Sequence, residues 1–215
     1  KILLTGATGF IGKKLIQELL NKDFELSIIL RKKVDYFSDK VRQFVIGDFA
    51  KYSNELTSID CVIHLAGKAH VIDKNKASVL DEFRLINTDF TLSLARQAAT
   101  AGVNRFIFLS SIGVNGNQNT KPFLESDTPN PQEPYAISKY EAEQGLFKLA
   151  KETDMEVVII RPPLVYGLNA PGNFGRLMSW ASKKYPMPLP LGLVGNSRSL
   201  VAIDNLVDFI ITCVT

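Results

Sequence analysis

Residues 5–12 read Thr5-Gly6-Ala7-Thr8-Gly9-Phe10-Ile11-Gly12, three glycines spaced three apart, set between the apolar run Ile2-Leu3-Leu4 and a helical repeat of isoleucines and leucines. Gly6 allows a tight turn out of a strand, and Gly9 lets main chain approach a pyrophosphate. Gly12 lets the following helix, whose first N–H groups face the phosphates, pack closely on the strand. Spacing alone fits an ordinary glycine turn equally well; the strand before it and the helix after it favour a dinucleotide site lined by Gly6, Thr8, Gly9, Phe10, Ile11 and Gly12. That helix is expected from about Phe10 to Asn21, because Ile11, Leu15 and Leu19 recur one turn apart with Ile16 and Leu20 beside them.

Outward from this turn, short β-rich runs alternate with helical patterns. Leu26 to Leu30, Phe44 to Ile46, Cys61 to Leu65, Phe106 to Leu109 and Val157 to Ile160 read as further buried strands. Helices are expected over about Val79 to Ala101, stopped by Gly102, and from Pro134 to about Thr153. Right-handed crossovers make this an α/β chain with a doubly wound, mostly parallel sheet, a Rossmann fold. After Ile160 the texture turns to Pro and Gly punctuation, giving two parts: a dinucleotide-binding domain over 1–160 and substrate-facing segments over 161–215, folded over the sheet's C-terminal edge. Asp204 is expected to N-cap a last helix.

The chain has 215 residues, 46% hydrophobic and 22% charged, with a formal net charge of +3. The charges are scattered, so disorder and a broad nucleic-acid-binding surface are poor readings. No apolar run reaches the ~18 residues of a membrane helix, and a soluble protein of the reducing cytoplasm is expected. Only Cys61 and Cys213 occur, without a CxxC or Cys/His cluster, so neither a disulfide framework nor a metal site is expected. His64 reads as a strand residue and His70 as a loop residue near the cleft. The chain opens at Lys1 inside a strand without an initiator Met, so a few preceding residues are expected to be missing.

Three further groups carry chemistry. At the end of the second strand, where a carboxylate would hold the ribose diol of NAD, stand Arg31, Lys32 and Lys33. They favour the 2′-phosphate of NADP, or else form a solvated basic loop. Asp48, with Phe49 beside it, could accept from the adenine amino group or cap a turn. Ser110-Ser111 closes a strand, and Tyr135 and Lys139, four apart, share a helix face. An ammonium one turn away favours the phenolate of a tyrosine whose ordinary pKa is ~10. Such a pair can move a proton to or from an alcohol oxygen that Ser111 orients while hydride moves at the carbon.

Taken together, the glycine turn, Ser110-Ser111, Tyr135-xxx-Lys139 and Arg161-Pro162-Pro163 resemble the extended short-chain dehydrogenase/reductase family of the NAD-dependent epimerase/dehydratase type, nearest to bacterial nucleotide-sugar 4-epimerases and 4-keto-sugar reductases. The resemblance covers essentially the whole chain. It implies cofactor contacts from Leu65, Ala66, Gly67, Asn87 and Pro162 besides Tyr135 and Lys139, with substrate contacts from Lys68, Ser111, Asn173 and Arg198. The last two would hold the diphosphate of a nucleotide sugar, a role for which a guanidinium fork is well shaped. It also implies a UDP-hexose substrate, a homodimer, and substrate-domain structure continuing past Thr215.

Departures from the family pattern narrow the reaction. Sugar dehydratases carry acidic residues after the catalytic Ser or Thr, whereas Ser111 is followed by Ile112 and Gly113, which disfavours dehydration. The familiar Val-Tyr-Gly becomes Val114-Asn115-Gly116, expected to remove an aromatic from the substrate wall. Arg161-Pro162-Pro163-Leu164 lacks an Asn that many epimerases use on the sugar nucleotide. Hydride transfer at C4 is the leading expectation, in an epimerase that reuses its cofactor or in a reductase, which NADPH would suit. An NADP-linked reductase of a non-nucleotide carbonyl, and a cofactor-sensing protein without turnover, stay open as alternatives.

Overall fold

The computed structural model describes residues 1–46, 54–69, 76–183, 195 and 197–214, without the side chains of residues 76–78, 173 and 174. Asp48, Phe49 and His70 lie outside the described residues. Six strands, β1 (Ile2–Thr5), β2 (Leu26–Leu30), β3 (Val41–Val45), β4 (Cys61–His64), β5 (Arg105–Leu109) and β6 (Glu156–Ile160), pair in parallel in the order β3-β2-β1-β4-β5-β6. The order reverses beside β1, which is where an open sheet of this kind leaves a crevice at its C-terminal edge.

Strands β1, β2 and β4 are buried at every residue, because helices cover both faces of the sheet. Alternate residues feed two separate cores. Ile2, Leu4, Ile28, Ile63 and Ile107 pack with Leu15 and Leu19 of helix α1 (Phe10–Asn21) and with Leu206 and Ile210 of helix α6 (Ile203–Thr212). Leu3, Val62, Phe106 and Phe108 pack on the other face with Leu94 and Ala98 of α3 (Phe90–Thr100) and Ala142 and Leu146 of α4 (Pro134–Glu152).

The edge strand β3 starts three residues earlier than its apolar run. Arg42 is exposed and Gln43 half-buried there, because an edge strand has a sheet neighbour on one side only. The long helix expected over 79–101 is three pieces: α2 (Lys76–Phe83), a π-helical turn over Arg84–Asp89, and α3. Such bulges are frequent at functional sites, and no Gly or Pro announces this one in the sequence.

Beyond β6, strands β7 (Leu164–Tyr166) and β8 (Leu200–Ala202) form a separate parallel pair, with α5 (Gly172–Ala181) between them. Within the 161–215 segment, α6 packs into the core over β1 and α1. Asp204 does not cap that helix: Ala202 occupies the cap position, while Asp204 lies in the first turn with its carboxylate 3.0 Å from Lys14 Nζ. A carboxylate there still complements the helix dipole. Among the described residues no helix is long and apolar enough to cross a membrane.

The joint between β1 and α1 depends on Gly12. A Cβ there would stand 2.3 Å from Gly6 O and 2.9 Å from Ala7 Cα, both main-chain atoms that cannot swing aside. Gly12→Ala should therefore destabilise the fold by about 2–3 kcal/mol, a fall of ~5–10 °C in Tm by calorimetry, whereas an unchanged Tm would mean that the turn relaxes freely.

Candidate active site

The glycine turn stands at the C-terminal end of β1, as its spacing predicts. Gly6 has φ +75°, which a side chain would strain, and a Cβ there would meet Ala66 N and Leu65 C at 2.7 Å. Gly9 N–H donates to Gly6 O at 3.0 Å. Gly9 is also the cap residue of α1, with no side-chain cap and no acidic residue in the first turn. Thr8 and Gly9 are exposed. An uncapped helix start flanked by bare main chain suits the pyrophosphate of a dinucleotide. The side chains of Phe10 and Ile11 pack against the core beneath the turn, at the first two positions of α1. Arg31, Lys32 and Lys33 are exposed directly after β2.

Beside this turn runs a buried relay. Ala66 N–H donates to Thr5 Oγ1 at 3.3 Å, Thr5 Oγ1 lies 2.6 Å from His64 Nδ1, His64 Nε2 lies 2.9 Å from Thr91 Oγ1, and Thr91 Oγ1 donates to Asn87 O at 2.7 Å. The single Thr91 hydroxyl proton goes to Asn87, so Thr91 accepts from His64 Nε2–H, and Nδ1 accepts from Thr5. Burial, followed by the charge of Lys139, pushes the imidazole down to about 3. His64 is therefore a neutral spacer between the glycine-turn strand and the π-helical turn.

Asn87, on that turn, is 0% exposed. Its Oδ1 accepts from Lys68 N–H at 2.8 Å, and its Nδ2 donates to Lys68 O at 3.0 Å and to Ser138 Oγ at 3.0 Å. Asn87 thus reaches the crevice through the loop Leu65-Ala66-Gly67-Lys68, which it fastens to α4, and not through its own amide. The ammonium of Lys68 pairs with Glu82 Oε1.

On α4, Tyr135 is half-buried, its ring 5.9 Å from that of Phe83. Lys139 is 2% exposed: its Nζ donates to Leu109 O at 3.0 Å and lies 4.4 Å from the centre of the Phe108 ring. Burial takes it down to about 7, against the raising effect of Glu143. The Tyr135 phenol is pushed up, also by burial. The phenol thus moves opposite to the direction expected from Lys139: desolvation acts on it, while the ammonium is directed at the Leu109 carbonyl.

Ser111 follows β5 and heads a short 3₁₀ turn (Ile112–Val114); its Oγ accepts from Gly113 N–H at 3.2 Å, which leaves the hydroxyl proton free to be donated. Ser110 N–H donates to Ile160 O at 2.7 Å and Ile112 N–H to Pro162 O at 3.1 Å, so the serine loop is clipped to the end of β6 and to Pro162. Asn115 is 5% exposed and bonded to Arg161 and Leu124, so it does not stand in the substrate wall and its replacement of an aromatic does not open that wall. Arg198 is exposed two residues before β8, whose Leu200 pairs with Leu164 of β7. Asn173 lies in the first turn of α5, and its side chain lies outside the described residues. Sequence reasoning missed Glu143, Thr5 and Thr91; the one available signal was a polar side chain on the buried face of a strand or helix.

Residues 2–215 match the model of the NAD dependent epimerase/dehydratase family, and the chain belongs to that family. It is 43% identical over 219 residues to UDP-glucose 4-epimerase of Vibrio cholerae, covering 99% of this chain and 66% of that protein. It is 31% identical over 216 residues to GDP-6-deoxy-D-talose 4-dehydrogenase of Aggregatibacter actinomycetemcomitans, covering 98% of this chain and 68% of that protein. Among solved structures, MoeE5 in complex with UDP-glucose and NAD superposes with a TM-score of 0.81 at 25% identity, covering 100% of this chain and 72% of that one. The chain spans between half and about two thirds of the length of the curated relatives it matches.

Between pH 8 and 4 the His64 ring should stay neutral in the Nε2–H tautomer. Long-range 15N NMR of the imidazole checks this, and a titration near pH 6.5 would contradict the relay. By linkage, a base depressed from 6.5 to about 3 withdraws stability as pH falls through that window, because only the unfolded chain takes up the proton.

Proposed function

We propose that the protein is a nucleotide-sugar 4-epimerase acting on a UDP-hexose. The feature of the fold that supports this reading best is that Lys139, one turn after Tyr135, reaches the end of β5 just before Ser110-Ser111 and lies against Gly67 in the loop beside the glycine turn. The identity to the Vibrio cholerae epimerase supports it, as does MoeE5, which holds UDP-glucose and NAD on a similar fold.

Gly6, Thr8 and Gly9, with the first N–H groups of α1, would hold the pyrophosphate of NAD, and Gly67 would give it passage along the β4 loop. When bound, the nicotinamide accepts and returns hydride at C4 of the sugar. Tyr135, as the phenolate that the Lys139 charge and the oxidised nicotinamide ring would favour, would take the proton of the C4 hydroxyl and return it to O4, the hydride coming back to the opposite face of C4. Ser111 donates to O4, holding the oxygen at the phenol. Lys139, poised near neutrality, supplies positive charge behind the pair. Asn173 and Arg198 would bind the diphosphate, leaving the ketone free to turn over between the two hydride transfers. A homodimer remains part of this reading.

A 4-keto-sugar reductase is the second reading, favoured by the identity to the 4-dehydrogenase and by the basic residues after β2, which could take the 2′-phosphate of NADP. Nicotinamide absorbance and sugar NMR, read together on a small UDP-sugar panel, separate the two: new sugar without net absorbance change means epimerase, and stoichiometric absorbance change means reductase.

Tyr135→Phe should lower kcat at least ~100-fold while leaving dinucleotide affinity nearly unchanged. Turnover like the wild type would exclude Tyr135 as the acid/base. Arg31→Asp should shift the ratio of NADP to NAD affinity about tenfold towards NAD, the loss of one charge-assisted contact. An unchanged ratio would leave Arg31 as a solvated loop residue.

A further inference from the structure

Glu143 lies outside every motif of the sequence, yet it is 0% exposed. It stands one α4 turn beyond Lys139 and two beyond Tyr135, so it shares their helix face. Its carboxylate accepts from Ser110 Oγ at 2.5 Å, from Arg161 Nε at 3.0 and 3.2 Å, and from Arg161 Nη2 at 2.5 Å. Arg161 Nη1 continues to Asn115 Oδ1 at 3.0 Å, and Asn115 Nδ2 donates to Leu124 O at 3.2 Å. Ser110 and Asn115 lie on either side of Ser111 in the chain, so one carboxylate grips the serine segment at both ends. A buried ion pair of this kind often stabilises no better than apolar groups of the same shape, so stability alone does not account for it.

We propose that Glu143 is a positioning residue: through Ser110 and Arg161 its carboxylate sets where Ser111 stands against Tyr135, and from one helical turn away it sets a negative charge beside the Lys139 ammonium. This rests on the epimerase reading of Tyr135 and Lys139. The charged and titratable groups around Lys139 are few among the described residues. Tyr135 and Glu143 lie on its own helix, neutral His64 lies on β4, and Arg161, at the end of β6, is paired with Glu143. On the neighbouring helical run, Glu82 is taken by Lys68, while Arg84 and Asp81 form a cluster with Glu141. Glu143 is therefore the carboxylate that opposes the effect of burial on Lys139. Removing its charge lets Lys139 fall further and lose its proton at lower pH.

The test uses the full-length protein with Glu143→Gln, Glu143→Asp and Ser110→Ala. In Glu143→Gln, kcat should fall roughly 10-fold to 100-fold with a smaller change in KM for the sugar nucleotide. The Lys139 titration, read by 13C NMR of the cofactor-free protein, should move down by about 1 unit. Glu143→Asp, which keeps the charge, should restore the titration and part of the rate. Ser110→Ala should lower kcat and leave the Lys139 titration in place. A folded Glu143→Gln with an unmoved Lys139 titration, or with wild-type kcat, overturns the proposal. Should Glu143→Gln fail to fold, wild-type kcat in Ser110→Ala overturns it. Tyr135→Phe run in parallel separates the two claims: full turnover there removes the epimerase reading itself. Loss of turnover there, with Glu143→Gln unaffected, removes only the role of Glu143.

Discussion

One face of α4 carries three buried polar side chains, Ser138, Lys139 and Glu143, and the crevice depends on where each of them is held. Ser138 accepts from Asn87 and so fixes the π-helical turn and the loop after β4. Lys139 reaches the last carbonyl of β5. Glu143 takes Ser110 and Arg161, the ends of β5 and β6. A helix lying on a parallel sheet normally buries apolar side chains alone, as Ala142 and Leu146 do here. The polar positions of α4 instead follow the C-terminal edges of the strands, where carbonyls and loop ends need partners. Burial there is what brings an ordinary lysine into the neutral range.

The same edge is reached from the other side by the Thr5-His64-Thr91 relay. Leu65 N–H and Ala66 N–H, leaving β4, both find partners on Thr5, and the chain of donors ends on the carbonyl of Asn87 inside the π-helical turn. Two buried polar networks thus meet at Asn87. Fully satisfied networks of this kind rigidify what they join, because any half-broken state leaves a buried group without a partner. The parts left exposed, Thr8, Gly9 and Gly67, are main chain and small side chains, which offer a ligand amides without obstructing it.

Much of this was legible in residues 1–160, since glycine spacing, apolar runs and helix periodicity are local signals. The strand order follows from them with the crossover rule, and Tyr135 with Lys139 is visible from its spacing on a helix. Other features depend on partners far away in sequence. The π-helical turn needs Thr88 to donate to Ser138 O and Thr91 to hold Asn87 O. Glu143 looks like any solvent-facing helical glutamate until Arg161 arrives from β6. Asn115 looks like a changed wall residue until Arg161 and Leu124 claim its amide. The direction in which Tyr135 and Lys139 shift is likewise set by burial, which spacing does not report.

A crystal structure of the Tyr135→Phe variant with NAD and a UDP-hexose, in which turnover is stopped, tests most directly whether this edge is the reaction centre. The sugar O4 should lie within hydrogen-bond distance of Ser111 Oγ and against the edge of the aromatic ring at position 135, with Ser110 and Arg161 still on Glu143. A sugar bound with O4 turned away from Ser111 and the α4 ring would contradict the assignment.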